Sequence, residues 1–221
     1  KQQLSETLQQ QISDWLAEKE QSALLAYHNM LLTDDTLRQQ WHSSTKRLAP
    51  GQNAGFVEST GALKNLLTLR QLIRDKAWQQ AAEVDIEQSL AVLHQYDFLA
   101  RLQNSLRFSA AWFTQVNPQL LAIVPASLCE DGRNKQQLTI LSTVFSKFFI
   151  AKVQAHLAEL RRFNDESWPL IAALYRDTLL YPALQQRYQQ PAVQLQQQLL
   201  LHVNWWQQLN KQCPVSLTAG A

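Results

Sequence analysis

The chain has 221 residues, of which 46% are hydrophobic, enough to bury a sizeable core. Its 20 basic and 18 acidic residues give a formal charge of +2, without the concentrated basic face that nucleic-acid binding requires. Only 5 Gly and 7 Pro leave too few turn residues for a many-stranded sheet, so we expect one helical domain over residues 1–221.

The N-terminal quarter predicts two helices followed by a loop. A first helix running to Tyr27 is indicated by apolar residues at steps of three and four, namely Leu4, Leu8, Ile12, Trp15 and Leu16. Thr33-Asp34-Asp35 then provides a capping hydroxyl and two carboxylates that suit the start of a second helix. The pattern disappears from Ser43 to Gly55, which predicts the longest loop of the chain.

Helical spacing resumes in the middle of the chain. One helix is predicted from Leu63 to Ile73, and Asp85 with Gln88 three residues later forms a capping box for another. A long apolar stripe then runs from Leu99 to Val116. We expect that helix to end at Asn117-Pro118, because proline disfavours the helical conformation in the residue before it.

The segment from Leu138 to Leu160 carries two apolar stripes, which predict a central helix near residues 136–162. The first stripe contains Leu138, Leu141, Phe145, Phe148, Phe149, Val153, Leu157 and Leu160. The second contains Ile140, Val144, Ala151, Ala155 and Ala158. Within the first stripe, four residues are predicted to be fully buried in the core: Phe145, Phe149, Val153 and Leu157. Lys147 and Lys152 interrupt the segment, so no membrane span is predicted.

The C-terminal third predicts a turn at Asn164-Asp165, a helix opening at Ser167 and Pro169, and a last helix opening at Pro191. The predicted fold is therefore all-α, an irregular helical bundle of about six to eight helices around the central one.

No motif for catalysis or for binding a metal or cofactor is found. Paired metal ligands at helical spacing are missing, as are nucleophile elbows and phosphate-binding glycine loops. Metal, if bound, would first involve His94, His156 and His202. The paired acids Asp34-Asp35 and Glu130-Asp131 occupy positions typical of caps and turns. The seven Trp are spaced as core residues, with an aromatic ligand cage as the alternative.

The two cysteines flank helix ends. Cys129 precedes the central helix and Cys213 follows the last one. Such positions suit a disulfide, but free thiols would be ordinary in a cytosolic protein, so the residues alone leave both alternatives open.

Three segments resemble a known family: Leu128-Cys129-x-x-Gly132, Ile140-Leu141-x-x-Val144-Phe145-x-Lys147-Phe148-Phe149-Ile150-x-x-Val153-Gln154-x-x-Leu157-Ala158-x-Leu160, and Trp206-x-x-Leu209-x-x-Gln212-Cys213. They are similar to the C-terminal part of domain of unknown function 3080, a family of gamma-proteobacterial lipoproteins. The resemblance implies a periplasmic protein, anchored to the membrane in its full-length form by an N-terminal lipid that this chain lacks. It implies no activity. An oxidising periplasm favours a bridge between Cys129 and Cys213.

We therefore predict a non-catalytic protein-interaction or scaffold module of the bacterial cell envelope. Its partner would be another envelope protein, with no nucleic acid, no cofactor, and membrane contact only through the lipid anchor. One alternative is a carrier or sensor of an apolar small molecule in an interhelical cavity lined by Trp and Phe. The other is an enzyme whose site is assembled from residues distant in sequence.

Overall fold

The computed structural model describes residues 6–42, 44–129 and 135–213, and these form helices and turns without a strand. The predicted all-α class is confirmed. The first six helices are α1 Glu6–Thr33, α2 Asp35–Trp41, α3 Phe56–Arg74, α4 Trp78–Glu83, α5 Ile86–Gln95 and α6 Phe98–Leu121. A short 3-10 turn, Pro125–Leu128, follows α6.

Two further helices contain π-helical segments. Helix α7 spans residues 135–175, with α-helical segments Lys135–Val144 and Ala155–Tyr175 on either side of the π-helical segment Phe145–Gln154. Helix α8 spans residues 181–212 and consists of Tyr181–Leu184, the π-helical segment Gln185–Gln189, and Gln190–Gln212. The described residues thus form eight helices.

Prolines end fewer helices than the sequence predicts. The expected turn at Asn164-Asp165 does not form, because α7 continues through it and through Pro169 to Tyr175. Ion pairs one turn apart support the helix there, with Arg161 3.4 Å from Asp165 and Arg162 3.1 Å from Glu166. A proline removes one backbone donor, and the surrounding packing tolerates that loss.

Two other helix ends differ from expectation in the same way. Helix α6 contains Pro118 and ends at Leu121, so the predicted end at Asn117-Pro118 is wrong. The Pro118 carbonyl still accepts a hydrogen bond from the Ala122 N–H at 3.1 Å, which closes a last turn. Helix α8 begins ten residues before Pro191, at Tyr181.

The helices share one hydrophobic core. Helix α8 packs along α6, and α3 packs against both α5 and α7. Ring contacts mark two centres of this core: Phe56 with Phe163 at 4.6 Å, and Phe145 with Trp206 at 3.9 Å between ring centroids. Tyr175 joins distant parts of the chain, because its hydroxyl accepts from the Trp41 indole N–H at 3.0 Å and donates to the Leu31 carbonyl at 3.3 Å.

Val153 is not buried as predicted: it is 38% exposed, whereas Phe145, Phe149 and Leu157 are buried. The π-helical segment explains the difference. A π-helix closes i→i+5 hydrogen bonds and so holds more residues in each turn than an α-helix. A stripe spaced at four residues therefore drifts around the helix after Phe149, and Val153 leaves the core.

Helix Gln136–Tyr175 is long and apolar enough to cross a membrane, and 22% of the residues in its apolar window are buried. Lys147 and Lys152 do not disqualify a helix of this length, so the sequence-based exclusion of a span does not hold. Core helices of soluble proteins satisfy the same requirement of length and composition. This helix differs from a core helix because most residues of its apolar window are not buried.

The segment between α2 and α3 is the long loop that the sequence predicts, and residue 43 lies outside its described part. Hydrogen bonds from backbone and side-chain donors hold the loop against α6 and α7. The Leu48 N–H donates to the Ser105 hydroxyl at 2.9 Å, and the Gly51 N–H donates to the Glu159 carboxylate at 3.1 Å. Asn104 and Arg101 donate to loop carbonyls at 3.0 and 3.2 Å. The loop thereby lines one side of the surface described next.

Candidate interaction surface

Apolar side chains of α7 point into solvent on successive turns. Ile140 is 57% exposed and Phe148 is 55% exposed, with Val144 between them also exposed. The spacing of four residues puts Ile140 and Val144 on one side of the first α-helical part of α7, and Phe148 follows them in the π-helical segment. Single exposed apolar residues are ordinary, but a row of them on a helix marks a surface that can bury another molecule.

A shallow apolar pocket of about 290 Å³ continues this row towards α6. Its walls are the Pro50 ring from the loop and the side chains of Phe108, Trp112, Val153 and Leu157, among others. Phe108 and Trp112 are themselves exposed. Lys152 joins the two parts, because it lines the pocket and its ammonium lies 5.4 Å from the centroid of the Phe148 ring.

The surface carries positive charge. Besides Lys147 and Lys152, the Arg47 guanidinium lies 3.7 Å from the centroid of the Phe108 ring. The sequence contains no Asp or Glu between Lys135 and Glu159, and none within α6. We call this region the cationic apolar surface, defined by three cations, Arg47, Lys147 and Lys152, and six apolar residues, Phe108, Trp112, Ile140, Val144, Phe148 and Val153.

His156 lies at the edge of the pocket, close to Glu159. Its Nδ1 atom is 3.9 Å from a carboxylate oxygen of Glu159, too far for a hydrogen bond. Burial lowers the pKa of His156, and the nearby Glu159 carboxylate opposes that shift only in part. The lowered pKa favours the neutral imidazole at pH 7, so the positive charge of the surface comes from its lysines and arginine.

His202 is held in a buried hydrogen-bond network. Its Nε2 accepts from the Trp206 indole N–H at 3.2 Å, so the ring proton lies on Nδ1 and is donated to the Asn117 side-chain oxygen at 3.0 Å. The Asn117 amide in turn donates to Gln198 at 2.8 Å. Burial lowers the pKa of His202. Both ring nitrogens are engaged, so His202 has a structural role.

Those residues singled out for possible chemistry that the structure describes do not form a common site. His94 is exposed on α5, and Asp97, three residues later, lies 3.5 Å from Arg101. Within the described part of the chain, no group of three or more His, Cys, Asp or Glu side chains could hold a metal ion. Asp34 accepts from the Leu37 N–H at 3.0 Å as a helix cap, and Glu130-Asp131 lies outside the described residues.

Cys129 and Cys213 form a disulfide, with their α carbons 5.7 Å apart. The bond joins the residue after the 3-10 turn to the end of α8. Beside it, the Trp205 indole N–H donates to the Ile123 carbonyl at 2.9 Å. The bridge therefore fixes the α6–α7 connection against the last helix.

The cationic apolar surface could not be identified from the sequence. Ile140 and Val144 belong to the second apolar stripe of α7, and a stripe that meets another helix has the same spacing as one that meets solvent. The absence of acids from residues 136–158 was visible in the sequence. Only the fold shows that Phe108 and Trp112 of α6 adjoin this segment.

A family model with the description "Protein of unknown function (DUF3080)" matches residues 1–217. The match covers essentially the whole chain, well beyond the C-terminal segments that carry the sequence resemblance. Searches of curated proteins and of solved structures found no match.

Proposed function

This chain belongs to the DUF3080 family of proteins of unknown function, and we propose that it is a non-catalytic interaction module of the bacterial cell envelope. The cationic apolar surface carries this proposal. It combines exposed aromatic side chains with an arginine, both of which are enriched at interfaces, and it adds two lysines whose charge can steer an acidic partner.

The proposed occupant is an amphipathic helix of another envelope protein whose apolar residues are flanked by Asp or Glu. Apolar anchors would fill the pocket beside Trp112 and cover Phe148, since buried aromatic contacts supply most interface energy. Acidic flanks would face Arg47, Lys147 and Lys152, because complementary charge fixes the orientation of a partner and speeds its association.

The disulfide and the family resemblance support the envelope location. Disulfides persist in oxidising compartments such as the periplasm and are rare in the cytosol. Fractionation of bacteria that make the protein tests the location, and thiol labelling of the denatured protein tests the bridge. We expect the protein to be recovered in the envelope fraction, with neither Cys129 nor Cys213 reactive towards the thiol label. Recovery from the cytosol with two reactive thiols would contradict the location.

Site-specific photo-crosslinking tests the docking surface in living bacteria. A photoreactive phenylalanine analogue replaces Phe148 in one strain and Leu179 in a control strain. Leu179 is 96% exposed in the turn between α7 and α8 and lies outside the surface. We expect an adduct with one envelope protein from position 148 and none from position 179.

A charge exchange with the purified partner then tests its chemistry. Changing Lys147 and Lys152 to Glu is expected to weaken binding by at least about tenfold, and changing the flanking acids of the partner to Lys is expected to restore it. Leu179→Asp is the control and leaves affinity unchanged. Adducts between position 148 and phospholipid would show that the surface contacts a membrane and would contradict the proposed protein partner. Insensitivity to the charge exchange would exclude an acidic partner.

A further inference from the structure

A pocket of about 270 Å³ lies between α2 and the beginning of α8. Its apolar walls include Leu32 from α1, Leu180 from the turn before α8, and Ala183 from the first turn of α8. In the described part of the chain, none of the residues that line this pocket belongs to the cationic apolar surface. The pocket can therefore bind a ligand independently of the surface proposed for a protein partner.

Cationic side chains line the same pocket from two helices. Arg38 and His42 come from α2 and its end, and Arg187 comes from α8. Arg187 donates a hydrogen bond to the Trp41 carbonyl, which holds its guanidinium beside α2 without neutralising its charge. None of the described residues that line the pocket is Asp or Glu. A pocket lined by cations without acids favours an anion.

Arg38 has a carboxylate partner outside the pocket lining, but the pair is weak. Its guanidinium lies 3.5 Å from a side-chain oxygen of Asp35, and the two side chains are 56% and 89% exposed. An ion pair this exposed contributes little, because water screens it and two mobile side chains must be held together. A guanidinium has a fork of N–H donors that matches a carboxylate, so Arg38 remains able to bind the carboxylate of a ligand.

The size of the pocket and its apolar walls restrict the ligand further. At about 30 Å³ for each water-sized volume, the pocket holds roughly nine non-hydrogen atoms. A carboxylate head takes only a small part of this space. The rest of the ligand lies against aliphatic side chains, where burial of apolar surface is favourable and an unpaired polar group would lose its hydration.

We propose that this pocket binds a small aliphatic carboxylate. Arg38 and Arg187 bind the carboxylate from α2 and α8, and the alkyl chain packs against Leu32, Leu180 and Ala183. Charge-assisted hydrogen bonds to arginine fix the head of the ligand, and the apolar walls select its chain. The proposal goes beyond the protein-binding role, because neither site depends on the other.

Three probes separate the charge from the alkyl chain. Heptanoate carries both, heptanamide has the same number of non-hydrogen atoms without the charge, and acetate has the charge without the chain. Each probe is titrated into the full chain at pH 7 and followed by isothermal calorimetry. We expect saturable binding of heptanoate and at least about tenfold weaker binding of each of the other two, since heptanamide loses charge-assisted hydrogen bonds and acetate loses the burial of its chain.

Two charge variants locate the carboxylate head. Arg38→Gln and Arg187→Gln are each expected to weaken heptanoate binding about tenfold and to leave heptanamide within about twofold of its original affinity. The control is Arg161→Gln. Arg161 is also an exposed arginine, 3.4 Å from Asp165, but it does not line this pocket. This control is expected to change neither affinity by more than about twofold.

A variant that fills the pocket locates the alkyl chain. Ala183 lines the pocket and is exposed, so Ala183→Phe can place a ring there without entering the core. Because this variant keeps all the cations, a loss of binding reports on space alone. We expect heptanoate and heptanamide both to bind at least about tenfold more weakly. Urea unfolding curves confirm that each variant keeps the fold.

Four results would each overturn the proposal. The first is the absence of saturable heptanoate binding to the unmodified chain. The second is equal affinity for heptanoate and heptanamide, which would remove the requirement for a charge. The third is acetate binding as tight as heptanoate binding, which would make the site one for free anions. The fourth is an equal loss in Arg161→Gln, which would assign the effect to general surface charge or to another cavity.

Discussion

At the start of α3, Gly55 has a φ of 90° and lies against the side chain of Tyr96. A β carbon built there would come within 2.7 Å of Tyr96 Cδ1, and the positive φ strains any other residue. Gly61, inside the same helix, has nothing within 4 Å of the position that a β carbon would take. A side chain is therefore excluded at Gly55 but would fit at Gly61.

We predict that Gly55→Ala lowers the free energy of unfolding by about 1 to 3 kcal/mol, whereas Gly61→Ala raises it by about 0.5 to 1 kcal/mol. Urea unfolding followed by circular dichroism measures both changes. If Gly55→Ala left the free energy of unfolding unchanged, Tyr96 would have to move aside at little cost.

We predict that the stability of the protein depends on pH through His202. Burial holds its pKa below the ordinary value of about 6.5, so the unfolded chain binds more protons than the folded chain when the pH falls below that value. This contribution to stability is present above pH 6.5 and is lost as the pH falls through the folded-state pKa.

The variant His202→Gln is therefore expected to lose less stability than the unmodified chain between pH 7 and pH 5, although it starts from a lower value. His94→Gln, at an exposed position, is the control and keeps the original pH dependence. Urea midpoints measured across this range decide the matter. Identical slopes for all three proteins would mean that His202 does not carry the effect.

Among the elements, α7 shows what periodicity predicts and where it fails. Its first half was predicted correctly as a helix, and the double stripe indicated its central position. The sequence could not reveal the π-helical segment, because the apolar spacing around Phe145 and Phe149 fits a regular α-helix as well. Nor could it show that Pro118 and Pro169 lie inside helices, since packing offsets the single donor that each removes.

The π-helical register predicts unequal effects for two positions of one stripe. Phe149→Ala is expected to lower the free energy of unfolding by about 3 to 5 kcal/mol, because the ring is buried against His202 and Phe113. Val153→Ala, at a 38% exposed position, is expected to lower it by less than about 1 kcal/mol. Equal losses in urea unfolding would indicate a regular α-helix in which Val153 is buried.

The disulfide joins elements that are 84 residues apart in the sequence. Closing a loop of that length restricts the unfolded chain, and chain-entropy reasoning gives a stabilisation of about 4 to 5 kcal/mol. We expect the double variant with Ser at both cysteine positions to lose most of this stability in urea unfolding. Reduction of the unmodified chain should produce the same loss, and the variant should no longer respond to reductant.

At the scale of the whole molecule, the sequence predicted which residues form helices but not which apolar faces stay exposed. Two apolar stripes predicted helices correctly and yet face solvent: the second stripe of α7, which begins at Ile140, and the stripe in the first half of α1. In both cases the spacing determined the helix, but burial depended on which neighbours the topology supplies. The pocket lined by Arg38 and Arg187 has the same origin, because helices distant in sequence form its walls.

Helix α1 divides into an arm and an anchored end. Residues 6–19 are all exposed, including Trp15 at 61%. The anchored end begins at Glu20, whose carboxylate accepts from the Trp78 indole N–H at 3.1 Å. Tyr27 and Leu31 are buried, and the Tyr27 hydroxyl donates to the Leu66 carbonyl at 2.7 Å.

We predict that deleting residues 1–18 changes the free energy of unfolding by no more than about 0.5 kcal/mol, because this arm buries none of its described residues against the helical body. Leu31→Ala, at the anchored end of the same helix, is expected to lower it by about 2 to 5 kcal/mol. Urea unfolding compares the two proteins at equal concentration. A large loss on deletion of the arm would show that it packs against the body or against a second copy in solution, and sedimentation of the intact chain would distinguish those two cases.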